Sequence, residues 1–71
     1  MSSWKPEVKT YGGDSWAGNT LRFATEIEAQ HYVADLAYRW TSVRATRVIE
    51  VDDPVNHRWT ADGAKRIEEV N

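Results

Sequence analysis

Apolar residues recur at Ala29, Val33, Leu36 and Trp40, spaced by four, three and four residues. This is the period of an amphipathic helix with one buried stripe, flanked by Tyr32 and Ala37. Thr25-Glu26-Ile27-Glu28 has the spacing of a capping box, with Thr25 as N-cap and Glu28 reaching back to it. Glu26 and Glu28 fall in the first turn, and Arg39 and Arg44 near the C-terminal end, which suits the helix dipole. The pattern predicts a helix that stops near Thr41-Ser42.

Elsewhere the alternation shortens to two. Glu7 to Tyr11 reads as a strand, Gly12-Gly13-Asp14 as a turn, and Trp16 to Phe23 as a second strand completing a hairpin. Gly18-Asn19 within that strand predicts a bulge or a positive φ. Val43 to Val51 is rich in β-branched residues and reads as a third strand. Asp52-Asp53-Pro54 is a turn, Val55 to Thr60 a fourth strand, and Asp62-Gly63 another turn. Ala64 to Asn71 is compatible with a short strand through Lys65-Arg66-Ile67 or with a helical turn. Residues 1–6 read as a flexible arm, because Pro6 disfavours helix at Lys5 and favours an extended lead-in. The expected fold is α+β: a ββαββ antiparallel sheet with an optional last strand and one amphipathic helix packed on one face. The 71 residues make one small domain, 1–71.

Composition narrows the function. There is no Cys, so neither a disulfide nor a thiolate metal site braces the chain. A net charge of −2 argues against a polycation that coats nucleic acid by charge alone. No apolar run reaches membrane-spanning length, and the first residues carry no apolar signal region, so a cytoplasmic location is expected. With four Trp in so short a chain, at least one should stand partly exposed, where it could anchor a partner.

Catalytic chemistry is poorly supported. No nucleophile elbow or phosphate-binding glycine loop is present, and no cofactor is implied. His31 and His57 lie far apart and read as surface groups rather than metal ligands. Asp52 and Asp53 could hold a divalent cation weakly, but beside Pro54 they are better explained as turn residues. Three Arg (Arg39, Arg44, Arg47) followed by Glu50, Asp52 and Asp53 polarise the chain, a pattern that also serves simply to solvate a helix end and a turn.

Two surfaces remain. At 100° per residue, Ile27, His31, Ala34 and Tyr38 line the helix opposite the buried stripe, where Lys, Glu and Arg would be usual. A row of apolar groups there marks a partner-binding surface, unless the N-terminal arm with Trp4 folds over it or the exposure is merely scattered. The other surface is the sheet face that the helix leaves open. Alternation puts Leu21 and Phe23 on one side, and Trp16, Thr20 and Arg22 on the other. Trp16 would be a second protein anchor. With Arg22 and Arg58, joined by Lys9 and Tyr11, it would alternatively stack unpaired bases.

The run Trp16-Ala17-Gly18-Asn19-Thr20-Leu21-Arg22-Phe23-Ala24-Thr25, with Glu28-Ala29, Tyr32-Val33, Asp35-Leu36 and Arg39-Trp40, resembles a group of very small uncharacterised proteins of bacteriophages, prophages and their bacterial hosts. Thr46-Arg47-Val48 and Asp52-Asp53-Pro54-Val55-Asn56 extend the likeness, which covers about residues 5–60. The resemblance implies a setting among mobile-element accessory genes and transfers no functional residues. The expectation is a non-enzymatic binder of a host or phage protein, including an inhibitor of a host defence complex of the anti-CRISPR kind. A single-stranded nucleic-acid-binding module is the alternative, and a weak homodimer a third option.

Overall fold

The computed structural model describes residues 2–67. Six elements follow in the order β1 (Ser3–Thr10), β2 (Ala17–Gly18), α1 (Glu26–Arg39), β3 (Val43–Val51), β4 (His57–Thr60) and β5 (Gly63–Arg66). The fold is α+β, with one helix and antiparallel strands. The strand left open in the tail forms as β5; residues 68–71 of that tail lie outside the described residues. The strands make two sheets, β2-β1-β3 and β4-β5. Phe23 joins them, bridging antiparallel to Trp4 and parallel to His57.

The expected arm is a correction. Ser3 to Pro6 belong to β1 and pair with Val51 to Val48 on β3, and Ser3 is fully buried. Pro6 does favour an extended lead-in, and that extended segment is part of β1 rather than a free arm. Trp4 directs both backbone groups to Phe23, its N–H at 2.8 Å and its carbonyl accepting at 3.0 Å. By strand alternation Pro6 points its nitrogen the same way, away from β3. No ladder bond to β3 is therefore lost.

The predicted second strand is broken. Val8 pairs with Ala17, Glu7 with Gly18, and Trp4 with Phe23. Glu7 and Trp4 are three positions apart while Gly18 and Phe23 are five, so residues 19–22 loop out by two. The expected bulge at Gly18-Asn19 is not a bulge within a strand, because Gly18 pairs regularly with Glu7 and β2 ends there. Nor is φ positive there: among the described residues that occurs only at Gly63 (106°), the first residue of β5, where a side chain would be strained.

The helix follows its sequence signals closely. Thr25 Oγ1 accepts from Glu28 N–H at 3.2 Å, so Thr25 is the N-cap. Glu28 reaches back to the Thr25 hydroxyl (3.0 Å) rather than to its backbone. α1 ends at Arg39, slightly before Thr41, because Trp40 turns extended and its N–H closes the last turn on Leu36 O at 2.8 Å. α1 packs against β1, β3 and β4. The buried apolar core is Val8, Phe23, Ala29 and Val33, with Leu36 partly covered. Trp40 departs from the expected buried stripe: as the C-cap it is 45% exposed.

Candidate functional site

The outer stripe of α1 is on the surface. Ile27 is 64% and Tyr38 87% exposed, and His31 and Ala34 are exposed between them. His31 lies parallel to the Trp59 indole, ring centroids 6.3 Å apart and planes 21° apart. Trp4 belongs to β1 and bridges Phe23, so the N-terminal segment is committed to the sheet. Ile27, His31, Ala34 and Tyr38 share the outer side of α1, with His31 against Trp59 and Ala34 bordering a groove beside Thr46 and Val48.

Trp16 is elsewhere. Pro6 and Val8 line a cavity of about 260 Å³ with Val33 and Leu36, so these β1 positions face the helix. Lys5, Glu7 and Lys9 alternate with them and point to the opposite face. There Trp16 receives Lys9 Nζ at 4.9 Å and the Arg47 guanidinium at 4.3 Å from its ring centroid. Glu7 sits beneath, with Oε1 accepting from Arg47 Nε at 2.7 Å and Oε2 3.3 Å from Lys5 Nζ. Burial alone would raise the Glu7 carboxyl. The hydrogen bonds and charges of Arg47 and Lys5 outweigh it and hold the group below its usual range. Trp16 and the helix stripe therefore lie on opposite sides of the sheet and do not form one anchor set.

Nor does the predicted nucleic-acid set converge. Arg22 is part of a folded junction, with Nε donating to Asp53 Oδ2 at 2.9 Å and Nη1 to the carbonyls of Asn19 and Leu21. Arg58 stands on β4, across from Lys65 on β5. Tyr11 is exposed beyond the end of β1. Of the basic residues expected beside Trp16, only Lys9 is there. Arg47 joins it, a neighbour hidden in the sequence because β1 and β3 meet only in the folded chain.

Asn56, expected within the fourth strand, instead precedes β4, which starts at His57, and is the centre of the junction. Its Oδ1 accepts from Arg22 N–H (2.7 Å), its Nδ2 donates to Thr20 O (2.7 Å), and its N–H donates to Arg22 O (3.0 Å). His57 Nδ1–H donates to the same Oδ1 at 2.6 Å, which sets the imidazole tautomer. His57 is half-buried with its ring centroid 6.3 Å from that of Phe23, not a surface group. That burial, assisted by the charge of Arg66, lowers its pKa. Glu28 adds a second tie, its Oε2 accepting from Trp59 N–H at 2.9 Å. No motif announces these roles, since a lone Asn and a capping Glu look alike whether or not they hold distant backbone.

Among the described residues, no group of three or more His, Asp or Glu converges to hold a metal ion, and no helix is long and apolar enough to cross a membrane. No family model, curated protein or solved structure matches the chain.

Proposed function

We propose that this protein is a non-enzymatic accessory protein of a bacteriophage or related mobile element. It acts in the bacterial cytoplasm by occupying a protein surface, as an anti-CRISPR-like inhibitor of a host defence complex would. In this reading α1 covers one face of the sheet and turns its other side to the partner. One observation carries the proposal: Ile27 and Tyr38 remain 64% and 87% exposed in line with His31 and Ala34, although the small core would gain from covering them. Tyr is among the residues enriched at interface hot spots, and exposed apolar groups in a row mark an interaction surface. Affinity capture from infected and uninfected bacterial lysates tests the reading. The unmodified chain should retain a specific host or phage protein that Ile27→Glu/Tyr38→Glu loses; retention by both chains rejects this surface.

The second reading, single-stranded nucleic-acid binding, draws on Trp16 with Lys9 and Arg47 rather than Arg22 and Arg58. It is the weaker reading, because Glu7 already neutralises Arg47 and the Trp16 ring is already engaged by two cations. Oligonucleotide binding that strengthens as salt falls would favour it, and no binding at low salt removes it.

A further inference from the structure

We propose that β3 pairs with the β3 of a second copy of this chain, antiparallel and centred on Val48, to join two three-stranded sheets into one of six strands. Among the described residues, β3 is the outer strand of its sheet and pairs only with β1. Trp4 spends both backbone groups on Phe23, so alternation turns Ser3, Lys5, Glu7 and Lys9 toward β3. Their partners Val51, Ile49, Arg47 and Ala45 face back. The intervening Thr46, Val48 and Glu50 therefore present their N–H and C=O groups to the open edge. Such an edge is a template for another strand.

Its central part lacks two common protections, Pro and Lys, although it carries the charges of Arg47 and Glu50. Ala45 to Val51 contains no Pro and no Lys, and its pairing with β1 is regular. The register shift lies before it, where Lys9 pairs with Ala45 and Thr10 with Val43, leaving Arg44 as the extra residue.

The sequence of this segment selects the occupant. Antiparallel pairing about Val48 sets Val48 against Val48, Thr46 against Glu50, Arg47 against Ile49 and Ala45 against Val51. No like charges oppose one another, and each outward backbone group meets one from the other copy. A register centred on Arg47 would oppose two guanidinium groups. Arg47 is in any case drawn back across the sheet, with Nη2 2.6 Å from Glu7 Oε1 and its guanidinium over Trp16. A groove of about 310 Å³ lined by Gln30, Val33, Ala34, Thr46, Arg47 and Val48 runs beside the edge. The two-fold axis lies perpendicular to the sheet, so both helices stand on one side.

Sedimentation of the full chain from about 10 μM to about 1 mM, the range of weak contacts over a small area, tests this. The unmodified protein should pass from monomer to dimer. Thr46→Glu, at an exposed position, places like charges opposite Glu50 twice and should weaken the dimer about tenfold. Adding Glu50→Lys to it should restore the dimer. A monomer throughout the range overturns the proposal, as does a dimer indifferent to Thr46→Glu. Amide exchange on the unmodified chain gives a reading independent of any variant. Thr46, Val48 and Glu50 should exchange more slowly as concentration rises, and unchanged rates contradict the seam.

Discussion

The junction around Phe23 and the outer side of α1 reverse the usual division of labour between polar and apolar residues. At the junction, polar side chains build the fold. Asn56 ties residues 20–22 to the start of β4, Glu28 ties the helix cap to Trp59, and Arg22 ties the loop to Asp53. On α1, Ile27 and Tyr38 are left to solvent. Short strands explain the first half: β2 has two residues and β4 four, too few for backbone ladders alone to fix them. Side chains supply the missing bonds, while the apolar Ile27 and Tyr38 stay outside the core.

The largest break in this contrast is Phe23→Ala. Phe23 is fully buried and its ring lies 5.6 Å from Tyr32 and 6.3 Å from His57. Loss of the ring should cost about 3–5 kcal/mol, enough to unfold much of so small a domain, as urea denaturation would show. Asn56→Ala comes next. It leaves Arg22 N–H and Thr20 O without their protein partners, and a cost of about 2–3 kcal/mol is expected from the same measurement. A cost below about 0.5 kcal/mol would mean that water replaces Asn56 and the junction is held otherwise.

Acidification gives a smaller effect in two steps. The folded-state pKa of His57 is lowered, so the unfolded chain takes up a proton first as pH falls. The His57 contribution is complete above about pH 6.5 and declines below it until the folded ring also protonates. The Glu7 carboxyl is likewise held low, so its contribution is complete above about pH 4.5 and is lost as pH falls further. The denaturation midpoint should therefore fall in an upper and a lower step. Glu7→Gln should erase the lower step alone.

How legible each region was from the sequence follows from the range of its interactions. α1 and β3 could be read closely, because capping, periodicity and β-branching are local: Thr25 caps where its spacing requires, and Val43–Val51 is the predicted strand. The helix strip was equally readable, since residue positions at 100° intervals depend on nothing beyond the helix. Pro6 favours an extended segment, but whether that segment joins the sheet depends on which edge of β1 its nitrogen faces. Asn56, and the Arg47–Glu7–Trp16 group, stayed hidden because their partners lie tens of residues away. Arg22 showed the converse: its charge suggested a ligand, and the fold uses it on Asp53 and two carbonyls.

The most direct test of the account is the stability of Ile27→Glu/Tyr38→Glu, measured as a urea denaturation curve beside the unmodified chain. Solvent already reaches both side chains, so the midpoint should correspond to a change within about 0.5 kcal/mol. A loss of several kcal/mol would place the strip inside the folding core and contradict the proposal that it is a binding surface.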